Sequence, residues 1–210
     1  MSSRESNDFT DVLKSAAADY DVTLNQSSLD QLSAYYDLLN SWNPRLHLVA
    51  PTSPAEFAKR HVLESLALVE YLQKGASIAD VGSGGGFPAI PCLIARTDIV
   101  ATLFEASGKK AIFLREALKA TNTADRAKVV NERFENVSAP AVDYVTCRAI
   151  ERFEELIPDL VAWSPSSATL LLFGGESLSR PLEKTGLVVD VRLLPNSERR
   201  FLFVARNPGT

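Results

Sequence analysis

Ser77-Ile78-Ala79-Asp80-Val81-Gly82-Ser83-Gly84-Gly85-Gly86-Phe87-Pro88 is the stretch on which the fold turns. A short strand-forming run, Ser77 to Val81, passes into a glycine-rich loop, and Pro88 opens a helix-like segment that runs to Ala95. Glycines at a strand-to-helix junction let the backbone turn sharply and approach a ligand, while the following helix start offers free N–H groups. A loop of this kind cradles a nucleotide-like molecule. The competing reading is a tight turn that needs glycine for steric reasons alone. Context favours the ligand reading, because the next strand-like run, Val100 to Phe104, ends in Glu105, where a carboxylate can accept hydrogen bonds from both hydroxyls of a ribose. A solvated strand-end carboxylate is the plain alternative for Glu105.

Outward from the loop, β-rich runs alternate with amphipathic stretches. Ala127 to Val130, Tyr144 to Cys147 and Thr169 to Phe173 read as strands, and Lys109 to Ala120 and Glu151 to Ala162 as helices. Such alternation predicts βαβ units and an α/β, doubly wound, mostly parallel sheet. The tail breaks the rhythm: Gly186 to Leu194 and Arg200 to Ala205, joined by Pro195-Asn196-Ser197-Glu198, predict an antiparallel hairpin. No strand signal precedes residue 77. Leu29, Leu32, Tyr35, Tyr36, Leu39 and Trp42 recur at helical spacing, and Asn43-Pro44 is expected to end that helix. A second helix is expected from Ser53-Pro54 through His61, Leu63, Leu66 and Leu68, with Ser53 as cap and Pro54 in the first turn. The expected division is a helical extension over 1–70 and one compact α/β domain over 71–210.

The spacing of the glycines separates two cofactor classes. The dinucleotide pattern G-x-G-x-x-G/A fails when read from Gly82, because Phe87 fills the last small position. A shifted frame, Gly84-x-Gly86-x-x-Ala89, fits but starts far beyond the strand and puts Phe87-Pro88 inside the turn. Asp80-x-Gly82-x-Gly84-x-Gly86 instead matches the acidic-plus-glycine signature of S-adenosylmethionine sites, where the carboxylate helps to hold the ammonium group. A doubly wound sheet ending in a hairpin is the Rossmann-like methyltransferase architecture, so methyl transfer is the preferred chemistry.

Composition bounds what else the chain does. With 210 residues it can bury a sizeable core, and no run of about 18 apolar residues suggests a membrane span. Met1 to Thr10 is polar and acidic, unlike a secretory signal, so a cytoplasmic location is expected. Two cysteines, Cys92 and Cys147, each in an apolar segment, and two histidines argue against a disulfide framework or a metal site. The net charge of −4 sits wholly in residues 1–30, the remainder having 20 acidic and 20 basic residues, so a local basic face toward nucleic acid stays open.

Several motifs occur together: Ser41-Trp42-Asn43-Pro44-Arg45-Leu46-His47-Leu48, Arg60-His61-Val62-Leu63-Glu64-Ser65, the glycine loop closing in Gly86-Phe87-Pro88, Glu105-Ala106-Ser107-Gly108-Lys109-Lys110, and Cys147-Arg148-Ala149. Over residues 30–175 or so the chain thereby resembles the RsmG (GidB) family of bacterial small-subunit rRNA guanine-N7 methyltransferases. The resemblance implies methylation of N7 of one guanine in 16S rRNA, with S-adenosylmethionine as donor and 16S rRNA or the 30S subunit as partner, by a chain expected to be monomeric. It implies that Gly82 and Phe87 line the methionine and sulfonium side, Glu105 the ribose, Phe134-Glu135 the adenine, and Arg148 the catalytic face. The place of Arg148 just past the fourth strand, at the carboxyl edge of the sheet, gives the expectation that it acts on the acceptor and not on the fold or the cofactor. Arg133 matches a family arginine.

The bland readings stand beside these. Arg148 could be a helix-entry arginine paired with Glu151 or Glu154, Phe134 an ordinary core residue, and His61 a packed histidine on an apolar helix. The basic pairs Lys59-Arg60, Lys109-Lys110 and Arg199-Arg200 suit an RNA-facing surface, with Arg60, His61, Lys109, Lys110 and Arg133 as candidate substrate contacts, if they converge. The sequence also departs from the family. Phe173 stands where a lysine is usual in a Leu-Lys-Gly turn, Glu64 where Asp is usual, and His47-Leu48-Val49 where Asn-Leu-Thr is usual. Rival functions are the same chemistry on another RNA or a small molecule, and a non-catalytic module that keeps the cofactor fold.

Overall fold

The computed structural model describes residues 3–148 and 153–209. Its N-terminal part is helical. After α1 (Ser3–Ala16) comes α2 (Gln26–Leu46), whose first turn is capped by the Asn25 side chain accepting from the Ser28 N–H at 2.9 Å. The predicted stripe Leu29, Leu32, Tyr35, Tyr36 and Leu39 is buried. The helix does not end at Asn43-Pro44 as expected but runs on to Leu46. Proline has a helical φ, and in a last turn it forfeits a single N–H bond. The Asn43 amide then fastens the exit by exchanging two hydrogen bonds with the Val49 backbone, each 3.0 Å.

Ser53 caps the next helix as predicted, its hydroxyl accepting from the Glu56 N–H at 3.2 Å, with Pro54 in the first turn. That helix is not uniform. Between α3 (Pro54–Phe57) and α4 (Glu64–Leu66) lies a π-helical turn, Ala58–Leu63, that carries Arg60 and His61. Wider turns of this kind re-aim side chains and recur at functional sites.

Seven strands follow in one sheet: β1 (Ser77–Val81), β2 (Val100–Phe104), β3 (Ala127–Val130), β4 (Tyr144–Arg148), β5 (Thr169–Gly174), β6 (Val188–Leu193) and β7 (Phe201–Arg206), in the order β3-β2-β1-β4-β5-β7-β6. The first five are parallel, and β7 runs antiparallel to β5 and β6, which makes the predicted hairpin. Helices α5 (Ala89–Ala95), α6 (Gly108–Ala120), α7 (Phe153–Trp163) and α8 (Ser179–Glu183) lie between strands. The predicted helix start at Glu151 falls outside the described residues. Among the described residues no helix is long and apolar enough to cross a membrane.

Side chains alternate across a strand, so each strand feeds two cores. Ile78, Leu103 and Leu171 join the N-terminal helices, α5 and α6 in one cluster, whereas Ala79, Phe104, Leu170 and Leu172 join Ile157, Leu160 and Leu182 in the other. Because β1 has β2 on one side and β4 on the other, the chain reverses its direction of sheet growth there, and ligands of open α/β sheets bind at the carboxyl ends flanking such a point.

The helical part is tied to both ends of the parallel strands, through Gln31 at the amino end and through Tyr20 and Tyr35 at the carboxyl edge. Gln31 donates to the Thr121 carbonyl at the end of α6 at 2.8 Å, Tyr20 donates to the Pro195 carbonyl in the hairpin turn at 3.0 Å, and the buried Tyr35 hydroxyl donates to the Gly85 carbonyl. Tyr35→Phe would leave that carbonyl buried without its donor, a loss of about 1–3 kcal/mol. Urea unfolding should show a lower midpoint with an unchanged slope.

Candidate active site

The glycine loop is held from behind by the end of β2. The N–H groups of Gly82 and Ser83 both donate to the Phe104 carbonyl, at 2.9 and 3.0 Å. Glu105 continues the clamp: Oε2 accepts from the Gly84 N–H and Oε1 from the Ser107 N–H, each at 2.8 Å. The carboxylate read from sequence as a ribose acceptor is therefore also the fastener between the loop and the start of α6, a role the sequence reading missed. Each carboxylate oxygen has a second lone pair, so holding the loop and accepting from a ligand are compatible.

Two glycines are required for different reasons. At Gly86 (φ +93°) a Cβ would meet Ile90 Cδ1 at 2.5 Å and the Tyr35 hydroxyl at 3.0 Å, so packing demands glycine. At Gly84 (φ +51°) a Cβ would have only the Gly82 carbonyl near it, at 3.7 Å. The space over Gly84 is open.

Asp80, at 0% exposure, lies under this loop. Its Oδ1 accepts from the Thr146 hydroxyl at 2.7 Å, while its buried Oδ2 has no hydrogen-bond partner. Burial pushes the carboxyl up to about 7, with the Ser83 and Thr146 hydroxyls opposing the shift and the Glu105 charge adding to it. An orphaned buried carboxylate oxygen beside a loop with open space above it is what a ligand carrying a positive group would satisfy, so the residues present fit S-adenosylmethionine.

A cleft of about 940 Å³ opens over the loop. Of the residues singled out from sequence, it gathers Gly82, Gly84, Phe87, Glu105, Phe134, Glu135, Arg148, His61, Lys110 and Arg133. Asp80 and Gly86 are buried behind its wall. Lys109 is exposed and lines none of the described clefts, and Arg60 lines the neighbouring cleft instead. Phe134 is both core and wall: it is 4% exposed and packs edge-on against Trp163, with centroids 5.5 Å apart. Glu105, Glu132, Glu135, Glu155 and Asp159 outnumber Lys110, Arg133 and Arg148 around this cleft, a balance that suits a cationic ligand.

A second cleft, of about 730 Å³, shares His61, Arg148 and Glu155 with the first and is walled further by Arg60, Glu64, Phe173 and Arg200. Glu151, one of the partners considered for Arg148, lies outside the described residues; among the described residues Arg148, at the carboxyl end of β4, pairs with Glu64 and not with Glu154. It donates to Glu64 Oε2 at 3.0 Å, to the Arg60 carbonyl and to the Ser65 hydroxyl at 3.4 Å, and its guanidinium lies 5.3 Å from the Phe173 ring centroid. The expectation that Arg148 leaves the fold alone is thereby corrected: its side chain is 13% exposed and, among the described residues, held by Glu64, Arg60, Ser65 and Phe173. Glu64 and Arg200 were not foreseen as a pair. Arg60 and His61 precede Glu64 by four and three residues, so helical spacing signals a shared face, but the partner on the hairpin lies 136 residues away.

His61 packs against Phe57 and Phe87, at centroid distances of 5.0 and 5.2 Å. Burial, and then Arg148, Arg60 and Arg200, bring its pKa down to about 3. The imidazole is neutral at pH 7, a polar ring between the clefts and not a cation.

A family model described as GidB, rRNA small subunit methyltransferase G, matches residues 28–186. Ribosomal RNA small subunit methyltransferase G of Neisseria gonorrhoeae (strain NCCP11945) is 39% identical over 163 residues, 78% of this chain and 75% of that protein. The protein of the same name from Sorangium cellulosum (strain So ce56) is 37% identical over 174 residues, 80% of this chain and 73% of that protein. Among solved structures, ribosomal protein L11 methylase from Lactobacillus delbrueckii subsp. bulgaricus is similar in fold, with a TM-score of 0.59 and 14% identity over 71% of this chain and 79% of that one.

Asp80 gives the site a pH signature. Its folded pKa is raised above the unfolded value, so the folded state binds the extra proton between about pH 4 and 7, and stability is lost as pH rises through that window. Asp80→Asn removes this loss. The stability difference, variant minus wild type, should grow from pH 4 to 7 and then level off at a few kcal/mol in order of magnitude. Thermal melts of both proteins across pH 4–8 check this, and a flat difference would contradict it.

Proposed function

The chain belongs to the GidB family, rRNA small subunit methyltransferase G, and from that premise we propose that it transfers a methyl group from S-adenosylmethionine to N7 of a guanine in 16S rRNA. It is an S-adenosylmethionine-dependent rRNA methyltransferase. The observation that carries the finer reading is the pair of adjoining clefts, one acidic over the glycine loop and one lined by arginines, with Arg148 on both. In this reading Asp80, Gly82, Gly84, Gly86 and Phe87 hold the amino-acid end of the cofactor, Glu105 its ribose, and Phe134 and Glu135 its adenine. The extension over 1–70 supplies His61 and Glu64 to the domain over 71–210. The protein acts as a cytoplasmic monomer on the 30S subunit or its RNA.

Bound S-adenosylmethionine supplies an electrophilic methyl group on a sulfonium. N7 of guanine carries a lone pair and no proton, so no general base is required, and the protein's work is to align and to exclude water. Arg148, held over Phe173, presents a planar cation to the acceptor. Because N7 is the attacking atom and must stay free, its contacts go to O6 or to phosphate. The neutral His61 ring and Phe87 wall the passage between the clefts.

Three variants test the assignment. Gly84→Val fills the open space over the loop and should abolish S-adenosylhomocysteine binding in calorimetry. Glu105→Ala removes a charge-assisted acceptor and should weaken that binding at least about tenfold. Arg148→Lys keeps the charge without the planar fork, and should slow single-turnover methyl transfer to small subunits lacking the modification by about an order of magnitude or more, with cofactor affinity unchanged. Wild-type transfer rates in Arg148→Lys would remove Arg148 from the acceptor side.

A further inference from the structure

Glu64 is 1% exposed, and each of its carboxylate oxygens is taken by a different arginine. Oε2 accepts from Arg148 Nη2 at 3.0 Å and Oε1 from Arg200 Nε at 2.7 Å. The three residues arrive from three places: α4, the end of β4, and the residue before β7. Arg200 is itself anchored, its N–H donating to the Ser197 hydroxyl at 3.0 Å and its carbonyl accepting from the Leu194 N–H at 2.9 Å. Its side chain is 37% exposed on the wall of the second cleft.

A lone buried Glu64–Arg148 pair would be neutral, and the carboxylate would compete with any acceptor for the guanidinium. A second arginine changes both properties. It draws one carboxylate oxygen to the far side, and it leaves the cluster with a net positive charge facing the cleft. Phe173 completes the setting, because an apolar ring beneath Arg148 supports the guanidinium face without adding another charge. The lysine that the resemblance leads one to expect at this position would place a third cation beside Arg148 and Arg200.

We infer that Arg200 is a positioning residue for methyl transfer, acting through Glu64 to fix the orientation of Arg148 toward the acceptor. This rests on the reading of Arg148 as an acceptor-facing group. Its role differs from that of an arginine that grips RNA phosphate directly, which would set affinity and its salt dependence and leave the saturated rate alone.

The test uses the full chain with labelled S-adenosylmethionine and small ribosomal subunits lacking the modification. Arg200→Gln, Arg200→Lys, Arg148→Lys and the double variant Arg148→Lys/Arg200→Gln are compared for saturated single-turnover rate, half-saturating subunit concentration and S-adenosylhomocysteine affinity. Arg200→Gln should lower the saturated rate by about tenfold or more, since small misplacements of an aligning group slow transfer by up to about a hundredfold. Half-saturation and cofactor affinity should stay within about threefold, Arg200→Lys should recover most of the rate, and in the Arg148→Lys background Arg200→Gln should add less than about threefold. An intact rate with raised, salt-sensitive half-saturation would overturn the inference in favour of a phosphate contact, and full additivity with Arg148→Lys would overturn it as well. If Arg200→Gln does not fold, Arg200→Lys carries the test alone: a rate as low as that of Arg148→Lys overturns the inference. A slow Arg148→Lys with a normal Arg200→Gln defeats only this inference, whereas a normal Arg148→Lys defeats the reading beneath it.

Discussion

A carboxylate withdrawn from water must be matched by positive charge and hydrogen-bond donors, and Glu64 is so matched by Arg148 and Arg200. Removing one partner of a buried pair costs about 3–5 kcal/mol. That constraint joins three parts of the chain that nothing local would bring together: the helical N-terminal part, the central parallel strands and the C-terminal hairpin. It also decides where the arginine at the end of β4 lies. The wider turn of Ala58–Leu63 contributes to the same arrangement, since it carries the Arg60 carbonyl that accepts from Arg148 and the His61 ring that divides the clefts.

Around this point the site separates by charge. Over the glycine loop the charged lining is mostly carboxylates, with Asp80 buried behind it and one oxygen left without a donor. A sulfonium and an ammonium are welcome there. In the second cleft Arg60, Arg148 and Arg200 face Glu64, Glu154 and Glu155, and Glu64 is already committed to two of the arginines. Three cations against three carboxylates leave this end formally neutral, two charges less acidic than the lining over the glycine loop. A net charge of −4 for the whole chain is thus compatible with an RNA substrate, because the charge is unevenly spread and the cleft holding Arg148 and Arg200 is not acidic. Two of the three basic pairs noted in the sequence converge here, through Arg60 and Arg200, while Lys109 stays outside.

The sheet was legible because its strands are short, apolar and bounded by turn residues: β1, β2 and β3 have the limits read from sequence, and β4 and β5 are each one residue longer. The glycine loop was legible because its chemistry is local. Where the reading failed, the cause was tertiary. Pro44 reads as a helix end, yet the fold accommodates it in a last turn that Asn43 closes onto Val49. Glu105 reads as a ligand contact, and its additional role of fastening the Gly84 and Ser107 backbones was hidden because it depends on how β2 meets the loop. Glu64 could not be read as a partner of Arg148, since sequence proximity says nothing about which helix packs over the end of β4. Phe173 reads as the loss of a positive charge, whereas in space it is the platform under a different one.

The central claim, that this architecture delivers a methyl group to N7 of a guanine in the small-subunit RNA, has a direct chemical readout. Borohydride reduces the cationic imidazolium ring of N7-methylated guanine and so labilises the base, and aniline then cleaves the chain at the resulting abasic site. Small subunits lacking the modification, incubated with the protein and S-adenosylmethionine, should acquire one new cleavage site in 16S rRNA that is absent when the cofactor is omitted. Incorporation of labelled methyl without a cleavage site, or no incorporation into RNA at all, would contradict the account.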